Sequence, residues 1–227
     1  MKTTSRYLLT KILQILKWLG FVAIYLISSS IFQLTTFYLN DPVKSQYVLG
    51  IGLIATAIAL SIVGWRYYRQ LDTANPRGFS HKSMTANKLW FMLALFIGMM
   101  IFQYGWAWLI SSGIINMPEN QTAVAEQSLK MPIWNGIYSI LLAPIFEELI
   151  FRGIYMNYFF NKDNRLNNIL AMVTSALIFG FAHEMQFDLN WIMYSILGLF
   201  LSYSYIHYRD IRFNIGLHML NNLASFL

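Results

Sequence analysis

Cysteine is absent from this 227-residue chain, so it has no thiol nucleophile, no disulfide framework and no thiolate metal or iron–sulfur site. Charge is scarce too. Charged residues make up 11% of the sequence and hydrophobic ones 57%, where an ordinary soluble domain is roughly 25% charged. Sixteen Lys and Arg with ten Asp and Glu cannot cover a water-soluble protein of this size. That excludes a cytosolic globular domain, a disordered chain and a secreted disulfide scaffold. Walker, dinucleotide and nucleic-acid motifs are missing, as are internal repeats and low-complexity segments.

What the sequence does have is long apolar runs. A transmembrane helix needs about 20 mainly apolar residues, and such windows fall near 18–38, 47–65, 89–112, 132–160, 168–183, 191–208 and 213–227. They predict an all-α, polytopic integral membrane protein of about seven transmembrane helices in one membrane domain. The first run is too long for a signal-peptide core and lacks an A-x-A-like site, so it is expected to be retained.

The net charge of +6 fits this topology. With a cytoplasmic N-terminus and alternating sides, thirteen cations fall in inner segments, among them Lys2, Arg6, Arg66, Arg77 and Arg209. Only Lys44 and Lys130 fall outside. The positive-inside rule then places a multi-pass protein in the cell membrane, N-terminus cytoplasmic and C-terminus outside. The loop 66–88 is expected to touch anionic headgroups. Trp18, Trp65, Trp90, Trp134, Trp191 and Tyr208 are read as interfacial belts. Membrane lipid is the expected surrounding, and nucleic acid is not expected as a partner.

Three charges fit no loop. Glu147, Glu148 and Arg152 lie inside the fourth apolar run, where a charged side chain costs roughly 2.5–3.5 kcal/mol on insertion scales and usually marks function. Glu148 and Arg152 stand at i and i+4, so they share a helix face and can neutralise each other. Glu147 is rotated by about 100° from Glu148 and is free for other work, such as acting as a general base. Downstream, Phe179 and His183 share a face, as do His218 and Asn222. Two imidazoles, an amide and two carboxylates therefore recur on helices that could line one bundle interior.

The order Glu147-Glu148-x-x-x-Arg152, Phe179-x-x-x-His183 and His218-x-x-x-Asn222 resembles the three signatures of the CPBP family, the CAAX-protease and bacteriocin-processing intramembrane peptidases, also called Abi. The resemblance covers about 133–227. It implies a catalytic four-helix core in 132–227, with 1–131 as accessory membrane helices, and an endopeptidase acting on a membrane-associated protein or peptide. By analogy Glu147 activates water with His183, His218 and Asn222 stabilise the oxyanion, and Glu148 with Arg152 positions the base. The family also suggests bacteriocin self-immunity or peptide processing. The chemistry is coherent in itself, because hydrolysis without a Ser or Cys nucleophile needs a base for water and donors for the oxyanion.

A metal-free mechanism without cofactors is the expectation. Zn²⁺ held by Glu147, His183 and His218 is the alternative, although the H-E-x-x-H pattern is missing: His183-Glu184 is followed by Phe187 where the second His would stand. Other readings are a non-catalytic membrane immunity protein of the same fold and a proton relay, the latter without the inverted repeats of transporters. One feature resists assembly. At ~1.5 Å per residue, Glu147 and His183 lie ~21 and ~22 Å from the inner ends of their helices and His218 only ~8 Å from its own. Straight, parallel helices do not bring the three together.

Overall fold

The computed structural model describes residues 2–226, with side chains from Tyr7 onward. The side chains of Lys2 and Arg6, two of the cations counted above, lie outside the described residues. The chain is all-α, with no strand among the described residues. Helix α1 is Lys2–Gln33, prolonged by a 3₁₀ turn at Leu34–Tyr38; α2 is Pro42–Thr73 and α3 Ala86–Ser111. Helix α4 is Glu119–Lys130, α5 covers 132–159, α6 is Arg165–His183, α7 Leu189–Tyr208 and α8 Ile211–Phe226.

Polar side chains set several starts. Asp41, Asn164 and Asp188 each accept a backbone N–H of the first turn, from Lys44, Asn167 and Trp191 respectively, satisfying donors that have no partner within the helix. Among the described residues five helices, α1, α2, α3, α6 and α7, are long and apolar enough to cross a membrane. The sequence pattern expects seven. Helix α5 spans the length but carries the three charges, and α8, with 16 residues, is about 24 Å long, short of a bilayer core of about 30 Å. Helix α4 was not expected at all. Its sequence, ENQTAVAEQSLK, is too polar to register as an apolar run.

Helices α6 and α7 approach closely. A Cβ on Gly180 would lie 2.2 Å from Ser195 Oγ and 2.8 Å from the Trp191 carbonyl oxygen, and one on Gly198 would lie 3.1 Å from Ala176 Cα. Small residues at such crossings let backbones meet inside a membrane, where packing replaces the hydrophobic effect as the driving force.

The loop 74–85 departs from the expectation of a headgroup-touching segment. Arg77 and Phe79 are buried; Arg77 donates to Asn168 Oδ1 at 2.8 Å, and the Phe79 ring stacks on Tyr205 with centroids 4.4 Å apart. Burial lowers the Arg77 guanidinium from its ordinary value. The same loop holds the start of α8. The Lys82 N–H donates to Asp210 at 2.7 Å, Arg212 donates to the Lys82 carbonyl at 3.0 Å, and the Ser80 N–H donates to the Arg209 carbonyl at 3.0 Å. Asp210 and Ile211 are both buried. Helix α8 thus begins inside the protein, on top of a folded loop. That is how a His seven residues from the helix start reaches the depth of Glu147.

The belt reading also needs correction in part. Trp65 and Trp90 are exposed, whereas Trp18 and Tyr208 are buried. The Trp18 indole donates to the Ile150 carbonyl at 3.1 Å, and the Tyr208 hydroxyl to the Lys88 carbonyl at 2.7 Å.

Candidate active site

Helix α5 is not a uniform α-helix. It widens to π geometry at Tyr138–Leu142 and again at Glu148–Ile154, and such widened turns recur at functional sites. Pro144 follows the first widening and offers no N–H to the ladder. The second carries Glu148 and Arg152. Successive residues on a helix point in different directions, and here that separates the two glutamates completely: Glu147 lines a cavity of about 560 Å³, while Glu148 is fully buried against α8.

Glu147 Oε1 accepts from the Tyr25 hydroxyl of α1 at 3.0 Å. Its Oε2 has no protein hydrogen-bond partner and faces His183 Nε2 at 3.6 Å and His218 Nε2 at 3.7 Å. Both distances exceed a direct hydrogen bond. The far side of each imidazole is committed. His183 Nδ1 lies 2.9 Å from the Phe179 carbonyl oxygen, a group that only accepts, so Nδ1 carries the proton and neutral Nε2 is a lone pair. The ring is flanked by Phe179 at 4.2 Å and Tyr194 at 4.9 Å.

His218 Nδ1 lies 2.8 Å from Glu148 Oε1. The carboxylate orients this ring much as a buried Asp orients the His of a catalytic triad. It also constrains the expected oxyanion role. A neutral His218 that donates from Nδ1 has no proton at Nε2, so only the imidazolium can donate into the cavity. Glu148 has further donors: Oε1 also accepts from Arg152 Nη1 at 2.9 Å, and Oε2 accepts from the Asn214 amide. Arg152 in turn donates to the Gly198 carbonyl at 3.0 Å, and its guanidinium lies 4.3 Å from the centre of the Phe179 ring. The Glu148–Arg152 pair expected from the i, i+4 spacing is present, and it positions His218 from behind.

Asn222 lines the same cavity. Its amide already donates to the Ser139 carbonyl at 2.9 Å, which leaves one N–H for other use. Of the six expected site residues, Glu147, His183, His218 and Asn222 face the cavity, and Glu148 and Arg152 are buried behind it. Three further residues escaped the sequence reading. Asn214 extends the His218 and Asn222 stripe one turn back, a pattern present in the sequence. Tyr25 and Tyr194 carry no such signal, since a tyrosine in an apolar helix reads as interfacial. Among the described residues no group of three His, Asp or Glu side chains is found that could hold a metal ion.

Residues 127–224 match the family model described as Type II CAAX prenyl endopeptidase Rce1-like. This segment is similar to that family. It contains all six expected site residues and ends close to where the motif resemblance does. The chain is also similar to the putative membrane peptidase YdiL of Bacillus subtilis (strain 168), 27% identical over 177 residues that cover 76% of this chain and 69% of that protein. A second relative is UPF0177 protein YvdC of Lactococcus lactis subsp. lactis (strain IL1403), 30% identical over 105 residues. That match covers 46% of this chain and 38% of the length of YvdC. No solved structure matches. Tyr25, from α1, lies outside the Rce1-like segment, yet it bonds directly to the first residue of its first motif.

Proposed function

We propose that this chain is an intramembrane endopeptidase in which Glu147 activates water for attack on a peptide bond. The observation that carries the reading is the free Oε2 of Glu147. It opens into a cavity, with the lone-pair Nε2 of His183 3.6 Å away and the Nε2 of His218 3.7 Å away. A water between these atoms donates to Oε2 and to one imidazole and keeps its own lone pair for a carbonyl carbon. As the C–O bond forms, Glu147 takes the water proton. As the C–N bond breaks, that proton passes to the departing nitrogen, with His183 as a second station. His218, when imidazolium, pairs with Glu148 and donates to the oxyanion, and the remaining N–H of Asn222 is a second donor.

The substrate is a protein or peptide at the membrane, and the reaction needs no metal. An N-terminus inside and a C-terminus outside follow from the cation asymmetry. Peptide processing or bacteriocin self-immunity is the biological setting the motifs suggest. The test compares membrane-bound and released peptides from host cells carrying the wild type or Glu147→Ala. A peptide present only with the wild type supports the reading. Cleavage that persists in the variant, or immunity that survives it, overturns it in favour of a binding role. Inactivation by a strong chelator with rescue by Zn²⁺ overturns the metal-free step.

A further inference from the structure

We infer that Tyr25, on α1 and outside the Rce1-like segment, is a positioning residue for Glu147 that selects Oε2 as the base. This rests on the proposed function. A carboxylate can rotate about its last torsion and offer either oxygen, because that torsion is broad and two-fold. Here one face of the choice is closed. The Tyr25 hydroxyl donates to Oε1 at 3.0 Å, and a hydrogen bond to an ionised acceptor is among the stronger ones. Oε2 then points between the two imidazoles, 3.6 and 3.7 Å away.

The tyrosine is held as firmly as the group it holds. Its ring stacks on Phe146, the neighbour of Glu147, with centroids 4.7 Å apart and an interplanar angle of 26°. Seven residues earlier on the same face of α1, the Trp18 indole bonds the Ile150 carbonyl in the widened turn of α5. Two aromatic contacts from α1 therefore fix α5 on either side of the glutamates, and one of them ends on the carboxylate. Tyr25 also lines the cavity, so its hydroxyl stands at the wall that a substrate passes. Among the described residues no other protein donor reaches Oε1.

The test uses full-length wild type, Glu147→Gln, Tyr25→Phe and Tyr25→Leu in membranes. The readout is a peptide whose release needs this protein, found by comparing cells that carry the wild type with cells that lack it. Tyr25→Phe keeps the stacked ring and removes only the hydroxyl, so kcat is expected to fall about tenfold, the scale of one hydrogen bond to a charged group, with KM unchanged. Tyr25→Leu removes the ring as well and falls at least as far. Infrared difference spectra against Glu147→Gln isolate the carboxyl bands of Glu147, and these shift in Tyr25→Phe whatever the substrate. Wild-type kcat with an unshifted band in Tyr25→Phe overturns the inference. A loss confined to KM assigns Tyr25 to substrate contact and also overturns it. Full activity in Glu147→Gln defeats the proposed function itself, a distinguishable failure.

Discussion

Removing Arg152 alone is predicted to cost more than removing it together with Glu148. Both side chains are completely buried and their heads meet at 2.9 Å. Breaking such a pair leaves a buried charge without compensation, a loss of about 3–5 kcal/mol. Arg152→Met also forfeits the bond to the Gly198 carbonyl and the contact with the Phe179 ring. At about 2–4 °C per kcal/mol for a chain of this size, the melting temperature in detergent should drop by about 10 °C. The double variant Glu148→Gln/Arg152→Met carries no stranded charge; the amide oxygen can still accept from His218, and its NH2 can donate to Asn214 once that amide turns its oxygen inward. It should recover roughly half of the loss. Glu147-dependent cleavage stays low in both, because His218 loses its carboxylate in one and its orientation in the other. The assay is thermal unfolding of the four species of the cycle, followed by cleavage. A double variant no more stable than Arg152→Met refutes the view that charge pairing dominates here.

Glu147→Gln should abolish cleavage by at least about 10²-fold, as expected for loss of a general base, while the melting temperature stays near that of the wild type, since the amide is nearly isosteric. Gly180→Ala should lower stability by about 1–3 kcal/mol through overpacking and displace His183, because the new methyl meets the Trp191 carbonyl; Gly50→Ala, with open space around it, is the control and should leave both readouts unchanged. Burial pushes the Asp210 carboxyl up, but hydrogen bonds from Arg212 and the Lys82 N–H outweigh it and hold the group below its ordinary value. A depressed carboxyl contributes stability above its unfolded value that is lost as pH falls through the folded one. Asp210→Asn should therefore lower the melting temperature at neutral pH and flatten its decline on the acid side. Asn214→Leu should reduce cleavage with little change in KM, as Glu148 loses one of its donors and His218 its fixed orientation.

The membrane class and the motif residues were legible because each rests on local information. Apolar runs report burial in lipid directly, and intramembrane charge is costly enough that Glu147, Glu148 and Arg152 stand out without any structure. The split between adjacent glutamates followed from helical rotation alone. What remained hidden depends on contacts far apart in the chain. Tyr25 meets Glu147 across 122 residues, and nothing about a tyrosine in an apolar helix signals that meeting. Trp18 misled in the same way: an indole at the end of an apolar run fits an interface and a buried carbonyl equally well. The loop 66–88 was expected to touch anionic headgroups because charge was counted by residue, whereas Arg77 is held by the amides of Asn157 in α5 and Asn168 in α6. The depth conflict at His218 was real for straight helices, and it disappears because α8 starts within the protein.

That start has a consequence for assembly. Loop 74–85 is made long before α8, and α8 depends on it for the seat of its first turn. The α1–α2 pair likewise carries Trp18 and Tyr25 before α5 exists to receive them. The Rce1-like segment therefore completes itself on a cradle supplied by the earlier half of the chain, and its last helix closes the site only once that cradle is in place.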